Sequence, residues 1–451
     1  MVFIMNPEEE ELDGELLKKF IDEHAALQTR YDMLSNMYKG QHDILAADDK
    51  DSGKPDNRLV VNFAKYIVDT LNGYFVGTPI KTVHPHAETA DRMKLIAKRN
   101  SQNDNNAELA KMCSIYGHAY EFLYQDDEAN TRVTYLRPQE AFVIYDDTIG
   151  QKPLYGVHAY KDKDDLLKGA IYSATDKQPF AVNDKGEMVI ENGEAHYYGD
   201  VPLIEYLENE EKQSAFESVI SLINAYNKAL SEKANDVDYF ADAYLSILGV
   251  EIDQPTLDKI RDNRIINLKE AGGDASKIVV EFLDKPNADI TQENLIERLK
   301  EDIFQIAMVA NISDENFGSS SGISLKYKLQ PMENVALMKE RKFTAGMMQR
   351  FKMMFNVPQQ FTQPPESYLE IDYKFSRNIP NNLKEEAETV AQLVGILPNS
   401  FLYGMLSNVD NVQDVIDELA KQKAEAATNS YNSDMNTPFN EKVTSDGSQE
   451  E

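Results

Sequence analysis

Two stripes of apolar residues near the middle of the chain predict a pair of helices. The first stripe follows Ser214-Ala-Phe-Glu217, in which Ser and Glu have the spacing of a capping box. Apolar residues at helical spacing predict helices over 214–243 and 289–311, with a small strand-containing segment, 245–286, between them. We therefore expect two helices that point away from the body of the protein and carry that segment at their far end. The stripes are Phe216, Ile220, Ile223, Tyr226, Leu230, Ala234, Val237 and Phe240, then Leu295, Leu299, Ile303, Ile306 and Ala310.

A third and longer helix is predicted after a short polar loop, 313–322, that is rich in serine and glycine. The helix, 323–356, would be about 50 Å long, whereas a globular helix averages about 11 residues. Pro331 lies inside it and is expected to kink it, because proline lacks the N–H and clashes with the preceding turn.

The composition of this long helix differs from that of the chain, whose net charge is −31. Between Ser324 and Asn356 seven basic residues face only two acids, Glu333 and Glu340, and six of the sixteen methionines occur there. One interpretation is a core helix with a solvated basic side. The other, which length and charge favour, is a helix lying between subunits of an acidic assembly.

The rest of the chain predicts an α+β fold that is mainly helical. Region 1–210 is expected to be one mixed domain with helices at 8–45, 87–100 and 105–116, followed by a series of short strands between 118 and 206. A strand is predicted at 368–375 and helices at 383–397 and 411–427. The polar tail, 428–451, has no periodicity and is predicted to be disordered.

Net charge and composition exclude several classes of function. A net charge of −31 argues against a protein that binds DNA tightly by neutralising its phosphates. The charge is compatible with DNA that passes along the protein without binding to it. No apolar run is long enough for a transmembrane helix, and the acidic N-terminus is unlike a signal peptide. The single cysteine, Cys113, excludes an internal disulfide framework and fits a reducing cytoplasm.

Catalytic and metal-binding motifs are missing. No glycine loop ends in Lys-Ser or Lys-Thr, so no P-loop is expected. His84-Pro-His86 is interpreted as a surface strand start rather than a metal site, and Cys113 as a buried structural thiol. We expect no enzyme activity, metal or cofactor; a metal-dependent nuclease built from the abundant acids stays open as an alternative.

Several strings, in their order and spacing over about residues 10–425, resemble the portal (head-to-tail connector) proteins of tailed bacteriophages. The similar type is that of long, non-contractile-tailed phages of Gram-positive hosts. The strings are Asn62-Phe-Ala-Lys-Tyr-Ile-Val-Asp-Thr-Leu-Asn-Gly-Tyr-Phe-Val-Gly-Thr-Pro-Ile80, Tyr116-Gly-His-Ala-Tyr-Glu-Phe-Leu-Tyr124, Ile223-Asn-Ala-Tyr-Asn227, Asn235-Asp-Val-Asp-Tyr-Phe-Ala-Asp242 and Phe317-Gly-Ser-Ser-Ser-Gly-Ile-Ser-Leu-Lys326.

The resemblance implies a ring of about twelve subunits at one capsid vertex, through which double-stranded viral DNA is packaged and ejected. It also implies docking of terminase and head–tail adaptor proteins, contacts with capsid and scaffold proteins, assembly in the host cytoplasm, and no membrane. The family's parts would be a wing (1–210 and the strand in 358–380), first stem helix (211–244), clip (245–287), second stem helix (288–312), tunnel loop (313–322), long kinked helix (323–357), helical crown (381–427) and tail (428–451).

Candidate DNA-facing residues follow from the same resemblance. The tunnel loop would approach DNA with short, uncharged side chains; the alternative is an ordinary turn between helices. Four stem residues are candidate positive points in the channel, although exposure elsewhere or pairing between subunits is the other interpretation. A minor virion or head-completion protein without a channel is the alternative function. The residues are Asn316, Phe317, Gly318, Ser319, Ser320, Ser321 and Gly322 in the loop, and Lys228, Lys233, Arg298 and Lys300 in the stem.

Overall fold

A computed structural model describes most of the chain, which divides into two compact units, Met1–Asn378 and Ile379–Glu451. The described residues are 2–8, 11–50, 54–183, 185–241, 245–248, 279–282, 289–312, 322–358, 360–378, 383–406, 409 and 412–435.

Eight α-helices are described in the first unit. They are α1 (Gly14–Ala25), α2 (Gln28–Lys39), α3 (Phe63–Val76), α4 (Ala87–Arg99), α5 (Gln102–Tyr116), α6 (Ile220–Ala241), α7 (Asp289–Ala307) and α8 (Gly322–Asn356). Short 3-10 helices occur at Asp43–Ala46, Glu217–Val219 and Pro365–Glu370.

The described strands of this unit form four sheets. The strands are β1 (Phe3–Met5), β2 (Lys81–Val83), β3 (His118–Gln125), β4 (Thr131–Leu136), β5 (Ala141–Asp146), β6 (Pro153–Lys161), β7 (Leu167–Tyr172), β8 (Asp176–Val182), β9 (Met188–Ile190), β10 (Glu194–Ala195), β11 (Leu203–Leu207), β12 (Leu245–Leu248), β13 (Val279–Phe282) and β14 (Asp372–Lys374). The largest sheet has the order β1-β5-β6-β7-β8-β10 with β9 on β8, and the others are β11-β3-β4, β12-β13 and β14-β2.

The predicted helix over 8–45 is two helices. α1 ends at Ala25 and α2 begins at Gln28, and the side chains beside this break are held by one loop. His24 Nε2 lies 2.6 Å from the carbonyl oxygen of Pro138, and Gln28 Nε2 donates to that of Gln139 at 2.9 Å. These tertiary contacts, which the periodicity does not contain, accompany the change of direction.

The outer edge of β4 is contacted by two asparagine side chains, Asn100 at the end of α4 and Asn105 in the first turn of α5. Asn100 accepts from the N–H of Val133 (3.0 Å) and donates to the carbonyl of Thr131 (3.1 Å). Asn105 donates to the carbonyl of Val133 (3.1 Å). The two amides therefore replace a neighbouring strand over this stretch of the edge.

Other strand predictions also need correction. The short strands predicted between 118 and 206 did not include β8, which contains Pro179, a residue that is uncommon inside strands. The strand predicted at 368–375 is a 3-10 helix followed by the three-residue β14, which pairs antiparallel with β2. His84 follows β2 and is buried, so it does not start a surface strand.

The second unit contains three described helices: α9 (Leu383–Leu393), α10 (Asn399–Gly404) and α11 (Val412–Met435). The helix predicted to reach 397 ends at Leu393 because Gly395 has a left-handed backbone (φ 83°) and Pro398 precedes α10. α11 continues past 428 into the segment predicted to be disordered. The run of alanines before that point favours helix.

Candidate channel elements and the contacts that hold them

One of the two contacts of the predicted capping box forms before the first helix of the central pair, while the Ser214 hydroxyl donates to the carbonyl of Ser114 at 2.9 Å. The backbone N–H of Ser214 donates to Glu217 Oε2 at 2.9 Å, and a 3-10 turn leads into α6. Arg30 also pairs with Glu217 through two hydrogen bonds, of 2.6 and 2.8 Å. The start of α6 is thus attached to α2 by an ion pair.

α6 and α7 form an antiparallel hairpin. Ile223 and Ile303 are fully buried in it. Towards its end Lys233 pairs with Glu293, and Gln292 donates to Asp236 at 2.9 Å. Beyond the helices the sequence predicts three strands, at 246–250, 264–268 and 277–283. β12 and β13 overlap the first and third of these and pair antiparallel, whereas 264–268 lies outside the described residues.

An aromatic cluster marks the base of the hairpin. Phe63 of α3 makes edge-to-face contacts with Tyr226 and Phe304, at centroid distances of 5.0 and 5.6 Å. A cavity of about 480 Å³ lies beside these rings. The Tyr66 hydroxyl accepts from the N–H of Ile312 at 3.0 Å, so the chain is held just before the predicted tunnel loop.

A polar ladder joins α6 to the extended segment 57–61. Three main-chain N–H groups of that segment donate to three side chains spaced four residues apart on α6, and all three side chains are buried. Periodicity analysis missed the ladder, although polar residues at positions i, i+4 and i+8 of an otherwise apolar helix are a readable signal. The pairs are Asn57 to Asn235 (2.6 Å), Leu59 to Ser231 (2.9 Å) and Val61 to Asn227 (2.8 Å).

α8 is continuous through Pro331, whose side chain is exposed; the kink itself stays a prediction. One side of the helix is buried at a spacing of three or four residues, which is the pattern of a helix packed along its length. The buried stripe is Leu329, Met332, Ala336, Lys339, Phe343, Met347, Arg350 and Met354.

Two members of the buried stripe are basic and are paired within the same chain. Lys339 Nζ lies 2.6 Å from Glu208 and donates to the carbonyl of Ala110 at 2.9 Å. Arg350 forms a two-pronged contact with Glu121, with both distances 2.7 Å. Burial lowers the pKa of Arg350, but the charge of Glu121 outweighs it and the pKa lies above its usual range.

The expectation that the basic charge of α8 balances neighbouring subunits is therefore corrected in part. Besides the two buried residues, Lys342 pairs with Glu210, and Lys352 pairs with Asp200 at 2.7 Å. Four of the seven basic residues are thus compensated by acids of their own chain, because region 200–210 and β3 place those acids beside the helix.

The opposite side of α8 is exposed along its length. The exposed stripe contains no acid and includes Tyr327 and Met338, whose relative exposures are 76% and 63%. Its members, again spaced by three or four residues, are Tyr327, Pro331, Asn334, Met338, Arg341, Ala345 and Gln349.

The four predicted basic channel residues differ in their surroundings. Lys228 is exposed. Lys233 pairs with Glu293, Arg298 with Asp302 at 3.1 Å and Lys300 with Glu297 at 3.3 Å. Three of these cations are therefore partly neutralised within one chain. The other loop candidates, Asn316, Phe317, Gly318, Ser319, Ser320 and Ser321, lie outside the described residues, whereas Gly322 opens α8.

The cysteine and the histidine pair that the sequence offers as candidate reactive or metal-binding residues have structural contacts. Cys113 is buried, as predicted, and burial raises the pKa of its thiol. His84 lies 3.2 Å from the carbonyl of Ser367 and accepts from the N–H of His86. In the described part of the chain no group of three or more His, Cys, Asp or Glu residues is arranged to hold a metal ion. None of the described helices is long and apolar enough to cross a membrane.

Comparison with known proteins finds two portal proteins and one protein family to which this chain is similar. The portal protein of Clostridium phage phiCD119 is 22% identical over 455 residues, covering 93% of this chain and 99% of its own. That of Bacillus phage SPP1 is 22% identical over 373 residues, covering 75% and 71%. A chain in a solved structure titled "Neck of empty GTA particle computed with C6 symmetry" matches 78% of this chain and 88% of its own at 9% identity, with a TM-score of 0.44, too low to support the fold assignment.

The family model "Phage portal protein, SPP1 Gp6-like" matches residues 17–429. This match extends from α1 into α11 and includes the hairpin, the polar ladder and the long helix. The chain therefore belongs to the SPP1 Gp6-like family of phage portal proteins.

Proposed function

We propose that this portal protein assembles into a closed ring of about twelve copies and that double-stranded viral DNA passes through its centre. The observation that supports the ring most directly is the two-sided long helix. One side of α8 is buried in its own chain, while the other exposes Tyr327, Met338 and Arg341 along the helix. An exposed apolar stripe of this length is typical of an interaction surface.

A second copy of this chain offers a complementary surface. The exposed side of α7 carries Glu297 and Glu301 beside the apolar Ile290, whereas the stripe on α8 contains one basic residue, Arg341, and no acid. Two different, complementary surfaces on one chain form a heterologous interface, which generates a ring when the rotation closes. We place α7 of one subunit against α8 of the next.

The regions of the chain take the family's roles in this proposal. Region 1–210 with β14 is the wing, α6 and α7 are the stem, 245–287 is the clip that docks terminase and then head–tail adaptors, and 381–427 is the crown. Capsid and scaffold proteins contact the ring at the portal vertex of the virion, and assembly takes place in the host cytoplasm. The protein has no enzyme activity in this role.

DNA translocation in this proposal depends on weak contacts. The loop residues from Asn316 to Ser321 carry no positive charge, so they touch a moving duplex without fixing a phosphate. The acidic chain repels the DNA backbone, and the cations Lys228, Lys233, Arg298 and Lys300 provide sparse attraction if they face the channel.

The test combines assembly and packaging. Light scattering and negative-stain microscopy of the protein, alone and co-expressed with capsid and scaffold proteins, are expected to show rings with a central hole. Persistent monomers under both conditions would instead favour a minor virion protein without a channel. In packaging assays, changing Ser319, Ser320 and Ser321 to lysine should stall translocation by phosphate attraction, and changing them to asparagine should not; equal packaging by both variants would remove the loop from the DNA path.

The interface has its own test. Arg341→Glu should weaken ring formation through like-charge repulsion, and combining it with Glu301→Arg should restore assembly. Rings that form equally well in all three proteins would disprove the α7–α8 pairing without disproving the ring.

A further inference from the structure

The polar ladder between α6 and segment 57–61 has matched spacings. Two residues of an extended chain advance about 6.6 Å, and four residues of a helix advance about 6 Å. Asn57, Leu59 and Val61 can therefore each donate an N–H to one of three consecutive turns of α6. An extended segment normally finds such acceptors in another strand; here they are helix side chains.

The ladder defines a single register. Asn227, Ser231 and Asn235 are 0%, 2% and 6% exposed, whereas the donating segment is half-exposed and Leu59 is 40% exposed; water is therefore kept from the acceptors more than from the donors. A shift by one helical turn towards the start of α6 would place the Val61 N–H against Ile223, which has no acceptor. The same shift would take the Asn57 N–H away from the buried Asn235. An unpaired buried acceptor is costly, and segment 57–61 is thereby held in one position along α6.

Further polar contacts extend this attachment in both directions. Asn224 donates to Asp43 at 2.8 Å, and Asn57 Nδ2 donates to Asp238 at 2.5 Å. Lys50 pairs with Glu232 at 2.8 Å. The described contacts of 43–50 and 54–61 therefore extend along α6 from 224 to 238, about 21 Å along the helix axis.

The direction of the hydrogen bonds determines which motion they resist. The three N–H···O bonds of the ladder cross from the extended segment to α6, so movement of α6 along its axis strains all three together. Tilting of α6 away from the segment would instead break them one after another. The ladder is consequently stiffest against axial movement of the helix.

We propose that Asn227, Ser231 and Asn235 are positioning residues that hold the stem helix α6 against axial displacement while DNA is driven through the channel. This role rests on the proposed function, since only a translocating duplex applies such a load. Because the repulsion between like-charged DNA segments increases as DNA accumulates, the ladder matters most late in packaging.

The experiment uses two nearly isosteric variants of the central acceptor in the full-length ring. Ser231→Val removes the acceptor for the Leu59 N–H, and Ser231→Thr keeps a hydroxyl in a side chain of the same shape. Hydrogen exchange followed by mass spectrometry over 54–62 should be roughly five- to tenfold faster in the valine variant than in the threonine variant. Packaging should begin at equal rates in both, but the valine variant should stop at shorter DNA.

Several outcomes would overturn the inference. Equal exchange over 54–62 in the two variants would show that the ladder does not hold the segment. Faster exchange with full-length packaging, or loss of rings in the valine variant alone, would show that the ladder serves folding or assembly and not load. Failure of the unmodified protein to package DNA would instead disprove the proposed function and leave the exchange comparison as the test of the ladder.

Discussion

Replacing Arg350 with methionine should destabilise the first unit strongly, because Arg350 and Glu121 are 2% and 1% exposed in their side chains. The change removes both prongs of the contact with Glu121 and leaves that carboxylate buried without a cation. It also removes hydrogen bonds from Arg350 to Asn106 (2.9 Å) and to the hydroxyl of Tyr206 (3.1 Å). Removing one partner of such a pair costs about 3–5 kcal/mol.

The double variant Arg350→Met/Glu121→Gln shows how much of the lost stability comes from the unpaired charge of Glu121. Glutamine has nearly the shape of glutamate and carries no charge, and its single amide oxygen can still accept from Tyr206 (2.9 Å). Gln102, which donates to the other carboxylate oxygen (3.3 Å), would face the new NH2 group instead. Replacing a buried ion pair by neutral groups is often nearly neutral. We therefore expect the double variant to recover most of the stability that the single variant loses.

Urea unfolding measures both effects. The chain has 23 tyrosines and no tryptophan, so tyrosine fluorescence and circular dichroism report the transition. The free energies should be compared at a protein concentration where all variants have the same oligomeric state. A loss below about 1 kcal/mol for Arg350→Met, or a double variant no more stable than the single one, would refute the role of the pair in fixing α8.

Three further predictions follow from the same elements. Gly346→Ala should cost about 1–3 kcal/mol in urea unfolding, because the new Cβ would lie 2.6 Å from the ring of Tyr206; an unchanged midpoint would show that the ring moves freely. Acidification should lower the thermal midpoint as pH falls below about 6.5, since burial lowers the pKa of His24 and His118 and the unfolded state then binds more protons than the folded state; a midpoint constant from pH 7.5 to 5.5 would contradict this. Pro331→Ala should straighten α8 and shorten the packaged DNA by misplacing the loop before it, and packaging at normal length and yield would show that the kink is dispensable.

Local signals in the sequence predicted the central helices well. One of the two contacts of the predicted Ser214–Glu217 capping box is formed, and the bounds of α8 differ from the prediction by one residue at its start. Such elements depend on periodicity and caps that neighbouring residues supply. The break between α1 and α2 depends on partners more than a hundred residues away. The strand that contains Pro179 depends on its position in the sheet. Neither cause is contained in the local sequence pattern.

The candidate site was less predictable because the sequence alone does not show which polar residues are buried. Lys339 and Arg350 fall on the same stripe as the apolar residues of α8, yet basic residues are usually exposed. Glu208 follows β11 and Glu121 lies in β3, and only the tertiary fold brings these two acids to the helix. The basic composition of α8 correctly indicated an unusual helix. The interpretation that its charge faces neighbouring subunits was too broad, because four of its seven basic residues pair with acids of the same chain.

The asparagine amides over β4 have a consequence for a protein that must gather many copies in one place. A bare sheet edge at high local concentration invites strand addition from another copy, which leads to disordered aggregates. Asn100 and Asn105 occupy the N–H and carbonyl of Val133 and the carbonyl of Thr131, which an invading strand would need in the middle of this edge. Crowding of subunits can then favour the contacts that build an ordered particle, because this competing route of association is already blocked within each monomer.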